Sequence, residues 1–179
     1  MSTDYDNVKS VEPPWLGALR NSEVFGVSDG EALKRLASYF EWLTVNEGQE
    51  FIREGASSDF ALLVVSGSFE ILKAQGATRK LMAVARAGSF LGELGLITDE
   101  PRYATCRAVT SSDVGLLSRE HFVSMQSKDP ALYAMLLQRL CQQLGKRLVQ
   151  VTDTVFLLRE KNDIAVNAAK RILETAGLA

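Results

Sequence analysis

Between residues 40 and 118 the chain changes character every few positions, and no other stretch limits the fold as much. Short runs rich in β-formers fall at 41–45, 50–52, 60–65, 68–72, 79–84, 104–109 and 114–117. Turn residues separate them: Asn46-Glu47-Gly48, Gly55, Ser66-Gly67, Gly76 and Ala87-Gly88. Many short strands punctuated by glycine predict a small antiparallel β-barrel or jelly roll rather than a parallel sheet. Closing such strands on themselves also hides the edges that invite aggregation.

Helical patterns flank this block, which makes the class α+β. Pro13-Pro14 ends a polar leader, and residues 15–20 make a short apolar turn. Ser28-Asp29-Gly30-Glu31 has the form of a capping box, with Ser28 as cap and Glu31 returning to its amide. The helix it opens carries Leu33, Leu36, Ala37 and Phe40 on one face. A short helix is expected over 119–126, and Pro130 suits the first position of the next. That helix runs to about residue 159, with Leu132, Leu136, Leu140, Leu144, Leu148, Val151, Val155 and Leu158 at spacings of four and three. About thirty residues at 1.5 Å each give a rod near 45 Å, longer than a barrel this small needs as a lid. The excess length points to a homodimer formed through the 130–160 helix. Gly145 inside it costs about 1 kcal/mol relative to alanine and marks either a close helix approach or a swivel. Asn162-Asp163 can cap a last helix over 164–175. The expected organisation is a flexible leader 1–15, a β-barrel domain 16–127, a dimerisation or lid helix 128–160 and a helical tail 161–179.

Bulk properties narrow the chemistry. A chain of 179 residues and 19.6 kDa allows one domain with helical extensions, or at most two very small ones. Twenty basic against 22 acidic residues leave a formal charge of −2, so nothing in the total invites nucleic acid or an anionic membrane. The tail is nearly neutral and too short for a helix-turn-helix, so direct DNA binding is not expected. No apolar run is long enough to span a bilayer, and residues 1–12 lack the apolar core of a secretory signal; a cytoplasmic address is the default. Cys106 and Cys141 have no Cys-x-x-Cys spacing, which argues against a disulfide scaffold or a zinc site. Both read as small buried or half-buried hydrophobes. His121, the single histidine, reads as a helix-surface residue with no nucleophile pointed at it. No metal and no catalytic set are expected.

The segment 88–108 carries the chemistry. Gly92, Glu93, Leu94 and Gly95 lie between two strand candidates and read as a turn entering a short helix. The first amides of a helix have no internal partner and favour anions, and two glycines let a ligand oxygen approach the backbone. Arg102, ten residues after Gly92, can grip a phosphate with two prongs, which lysine cannot copy. Glu93 fits beside a phosphate if it accepts a hydrogen bond from a sugar hydroxyl while Arg102 neutralises the neighbourhood. A ribose bearing a cyclic 3′,5′-phosphate meets both demands in one small ligand. The bland alternative is a structural Glu93–Arg102 ion pair across a turn.

This segment resembles the phosphate-binding cassette of cyclic-nucleotide-binding domains, as in the catabolite activator protein and the regulatory subunit of cyclic-AMP-dependent protein kinase. The pattern Gly-Glu-Leu-small-Leu, then Pro-Arg-x-Ala-Thr, is here Gly92-Glu93-Leu94-Gly95-Leu96 and Pro101-Arg102-Tyr103-Ala104-Thr105. Gly48, Gly55 and Gly67 fall where that family's barrel turns carry glycine, and residues 139–148 resemble the dimer helix of the catabolite activator. The likeness covers roughly residues 16–158. It implies a non-enzymatic sensor without a cofactor, whose ligand is cAMP, with cGMP possible. Arg102 would take the exocyclic phosphate oxygens, Glu93 the ribose 2′-hydroxyl, and the Gly95 amide would help hold the phosphate. The base would lie toward the long helix, near Val151 and Thr152. The resemblance further implies that ligand capture moves the short helix and repositions the long one, signalling to a separate protein partner. Tyr103 departs from the family's Ala, Ser or Thr; it would stack on the ligand, shield the phosphate or swing out. A pocketless scaffold with this fold, a sensor of another ligand, or a regulatory piece of a longer protein are the rival readings.

Overall fold

The computed structural model describes residues 13–26 and 29–175, with helix side chains described as far as Ala168. Its elements run α1 (Pro14–Asn21), α2 (Gly30–Ala37), β1 (Glu41–Val45), β2 (Glu50–Ile52), β3 (Phe60–Val64), β4 (Ser68–Gln75), β5 (Thr78–Arg86), β6 (Phe90–Leu91), α3 (Leu94–Ile97), β7 (Thr105–Ala108), β8 (Ser112–Ser118), α4 (Arg119–Lys128) and α5 (Pro130–Thr175). The chain forms two compact units, dividing between Arg139 and Leu140.

In the first unit the strands form two four-stranded sheets, ordered β1-β8-β3-β6 and β2-β7-β4-β5, with antiparallel pairing throughout. Of the two architectures expected, the jelly-roll-like sandwich is the one present; no barrel closes. Its core is a cluster of Val45, Ile52, Leu62, Val64, Phe69, Leu91, Cys106, Ala108 and Val114. In β4, Phe69 and Leu72 both point inward although they are three residues apart. A register shift between Ile71 and Leu72 explains this, since a bulge moves the following side chains to the other face. Strand β3 is buried from Ala61 to Val64 because it lies between β8 and β6 and is covered on its other face by helices. The edge strand β5 is exposed at every residue but Ala85, and Arg79, Lys80 and Arg86 blunt it against pairing with another chain.

Several local expectations are corrected. Residues 14–21 form a full helical segment, not an isolated turn; Pro14 occupies its first position, where its missing N–H costs nothing. Ser28 lies outside the described residues, and the cap of α2 is Asp29, whose Oδ1 accepts from Ala32 N at 2.8 Å. Strand β6 escapes the periodic pattern because two residues cannot show alternation. Phe90 is nonetheless pinned, its ring 5.0 Å from that of Phe25 in an edge-on contact. The same aromatic chain continues outward: Phe40 touches Phe25 and Phe90, Trp42 stacks on Phe40 at 5.4 Å, and Trp15 stacks on Trp42 at 5.6 Å, joining α1 to β1. His121 is half-buried rather than on the helix surface, its Nδ1 hydrogen-bonded to Tyr39 O at 2.9 Å.

Helix α5 begins in the first unit, where Leu132 and Leu136 are buried and Tyr133 meets Phe122 at 5.0 Å. It continues to Thr175 without a break at Asn162-Asp163. Those residues cost only tenths of a kcal/mol each inside a helix, too little to end one flanked by strong helix formers. In the second unit every residue from Gly145 to Ala168 is exposed, including Leu148, Val151, Val155, Phe156, Leu157 and Leu158. Cys141 is exposed as well, against the expectation of burial, while Cys106 is buried; both are free thiols. No helix among the described residues is long and apolar enough to cross a membrane.

Candidate functional site

Arg102 follows Pro101 in extended chain leading into β7, and the loop after β2 fixes its backbone. Its amide donates to Ala56 O at 2.9 Å and its carbonyl accepts from Gly55 N at 2.9 Å. Thr105, three residues on and buried, accepts from Glu54 N through Oγ1 at 3.1 Å. The Pro-Arg-x-Ala-Thr pattern therefore acts locally as a splice between β7 and the 53–59 loop. Ala104 is half-buried within it.

The side chain this splice delivers is unusual. Arg102 is only 5% exposed. Its Nη1 donates to Gly92 O at 3.1 Å, and its Cζ sits 4.2 Å from the centre of the Phe60 ring. Nη2 has no hydrogen-bond partner among the described residues; Asp59 Oδ1 lies 4.0 Å away on a side chain that is 73% exposed. Burial pulls the guanidinium below its ordinary value, a pull that nearby Asp59 and Glu93 oppose. Guanidinium remains charged at neutral pH all the same, so the fold holds a buried cation with an unused donor. Such a donor normally finds an acceptor, because leaving it unsatisfied is costly.

Two glycines make room for it. Gly92 has φ +70°, and a Cβ there would lie 2.6 Å from Arg102 Nη1. A Cβ on Gly95 would fall 2.9 Å from the same nitrogen and 2.6 Å from Ser58 Oγ. Glu93, between them, is 4% exposed and flanks α3 without capping it through its side chain. The Gly95 amide, expected to face a phosphate, donates to Gly92 O at 2.9 Å. Leu94 is exposed on α3. Tyr103 is 65% exposed, with Lys73 Nζ 4.0 Å above its ring and bonded to its carbonyl at 2.5 Å. Glu54 completes that arrangement by pairing with Lys73 at 2.8 Å. The phenol is thereby held on the surface. Val151 and Thr152 lie in the second unit, both exposed, Thr152 Oγ1 donating to Leu148 O at 2.8 Å.

A cavity of about 340 Å³ opens at Arg102, lined also by Phe51, Ile52, Arg53, Asp59 and Phe60. Its size suits a mononucleotide-scale ligand, and its walls mix apolar rings with a few charges.

Arg119 was not picked out from the sequence, yet it organises this corner. From the first position of α4, its Nε donates to Gly95 O at 2.8 Å. Its Nη atoms reach Thr98 O, Ser58 O and the Asp99 carboxylate. Its amide donates to Asp59 O at 2.7 Å. One signal was available: a cation in the first turn of a helix opposes the helix dipole, so an arginine there has to earn its position through other contacts. Asp59 and Phe60 carried no such signal: Phe60 reads only as the start of the 60–65 run.

Comparison with known proteins agrees with this geometry. The family model for the cyclic nucleotide-binding domain matches residues 42–129. An uncharacterized NTE family protein of Mycobacterium tuberculosis is 31% identical over 127 residues, 71% of this chain and 21% of that protein. The chain thus spans about a fifth of the length of such curated relatives. Among solved structures, a cyclic nucleotide-binding domain from Methylobacillus flagellatus superposes with a TM-score of 0.70 at 26% identity, covering 80% of this chain and 81% of that one. The regulatory domain of Toxoplasma gondii PKA, crystallised with cAMP, gives a TM-score of 0.57 at 26% identity, covering 62% and 42%. With a matching family model, a shared fold and a buried arginine beside a nucleotide-sized cavity, the domain built from residues 42–129 belongs to the cyclic nucleotide-binding domain family.

Proposed function

We propose that this chain is a non-enzymatic sensor that binds cAMP at the Arg102 cavity. The observation that carries the reading is Arg102 Nη2, a buried cationic donor without a hydrogen-bond partner beside an open cavity. An exocyclic phosphate oxygen is the acceptor that would complete it; Gly92 and Gly95 leave room for the guanidinium itself, and they and Leu94 are the residues of the short helix turn that we assign beside the phosphate. Glu93, buried and electrostatically coupled to Arg102, accepts the ribose 2′-hydroxyl. Tyr103, held against Lys73, leaves the base to be read elsewhere. A cytoplasmic setting and a protein partner downstream follow from a sensor of this kind.

The exposed apolar run of α5 supports a dimer. Most of a helix's stability in a protein comes from packing its apolar face, and a second copy would cover Leu148, Val151, Val155 and Leu158 along one seam.

Isothermal titration with cAMP, cGMP and 2′-deoxy-cAMP tests the reading. Saturable cAMP binding is expected, with a preference over the 2′-deoxy analogue that shrinks in Glu93→Ala. Equal preference in both proteins removes the role given to Glu93, and silence toward both cyclic nucleotides at high micromolar ligand removes the sensor.

A further inference from the structure

Arg102 is held by a partner that the cassette pattern does not include. Its guanidinium carbon lies 4.2 Å from the centre of the Phe60 ring, at the first residue of β3. That ring is half-buried and braced in turn by Phe51, 5.6 Å away and nearly edge-on at 68°. Both rings line the cavity with Arg102. Without a wall, a side chain with four rotatable bonds and an exposed carboxylate 4.0 Å away would swing toward Asp59. Among the described residues the guanidinium makes one hydrogen bond, Nη1 to Gly92 O at 3.1 Å, which leaves rotation about that bond open. An aromatic face closes that freedom, since the planar cation stacks on it and gains from the ring quadrupole.

We propose that Phe60 is a positioning residue: its ring, braced by Phe51, fixes the plane of the Arg102 guanidinium at the cavity wall. The inference rests on the reading that Arg102 meets a ligand phosphate, and adds the device that prepares it. Preorganising one long side chain is worth a few-fold in affinity, because binding then loses less rotamer freedom.

Two readouts separate the device from the ligand. In nitrogen-detected NMR of the free protein, the Arg102 Nη signals, assigned by their loss in Arg102→Leu, should be resolved from one another and shifted by the ring current. Phe60→Tyr should keep that signature; Phe60→Leu and Phe60→Met, which retain apolar bulk without a ring face, should collapse it to averaged signals. In titrations with cAMP the same Leu and Met variants should bind roughly three- to ten-fold more weakly, at unchanged circular dichroism. Resolved, shifted signals that persist in both variants overturn the proposal, as does an unaltered cAMP affinity in variants whose signals have collapsed. A wild-type protein that shows the signature yet binds no cyclic nucleotide removes the ligand assignment while upholding the aromatic wall.

Discussion

A buried guanidinium with an idle donor is a liability to the folded chain until something binds it. Removing Arg102 should therefore split function from stability. Arg102→Leu is expected to weaken cAMP by 2–5 kcal/mol, roughly thirty- to several-thousand-fold, because the phosphate loses its desolvated partner. The melting temperature of the free protein should change little, since removing a charge that burial disfavours offsets leaving buried Glu93 without its neighbouring cation. Titration and calorimetry on the same preparation decide both halves, and a large drop in melting temperature would mean the guanidinium is structural. Cys106 supplies a pH signature nearby. Burial pushes its thiol up to about 11, from 9.0 in an exposed cysteine. Between those values the unfolded chain ionises and the folded one does not, so stability present below pH 9 is lost as pH rises toward 11. The slope corresponds to up to about 2 kcal/mol across that window. Urea unfolding at pH 8.5 and 10.5 should show the loss in the wild type and a flatter dependence in Cys106→Ala.

At the scale of elements, the short helix α3 depends on α4 for its place. Three carbonyls, from Gly95, Thr98 and Ser58, converge on Arg119. Arg119→Met leaves them without a charged donor and should cost roughly 1–3 kcal/mol by urea unfolding, with a parallel loss of cAMP affinity. Arg119→Lys should recover little of either, because an ammonium cannot reproduce the planar fork. An Arg119→Met protein with wild-type stability and affinity would show α3 to be held by its own packing. The same elements show what the sequence could tell. Strands β1 and β2 fall where alternation and glycine turns put them, and the remaining runs err by a few residues at their ends. The short strand β6, the bulge in β4 and the continuity of α5 were illegible because each is decided by tertiary pairing or by small propensity differences. Gly92, Glu93 and Arg102 could be named because the whole cassette pattern stands in the sequence in order, which implies roles for them by resemblance. Their neighbours Asp59, Phe60 and Arg119 could not, since they arrive from β3 and α4 and only the folded sandwich brings them within reach.

For the molecule as a whole, the second unit is the open question of assembly. Twenty-four consecutive exposed helical residues, 145–168, are expected to be ordered by a second copy. Sedimentation equilibrium should give a dimer, and Val155→Asp combined with Leu158→Asp should shift it to monomer with a fall in ellipticity at 222 nm. A monomeric wild type at high micromolar concentration would refute the dimer. The first unit has its own whole-body reporter. The chain has two tryptophans, and Trp15 and Trp42 are both spent on one stack joining α1 to β1. Intrinsic emission and near-ultraviolet dichroism therefore watch a single contact of the structure: coupled indole transitions will vanish when the N-terminal helix peels away, even while the cavity at Arg102 remains intact.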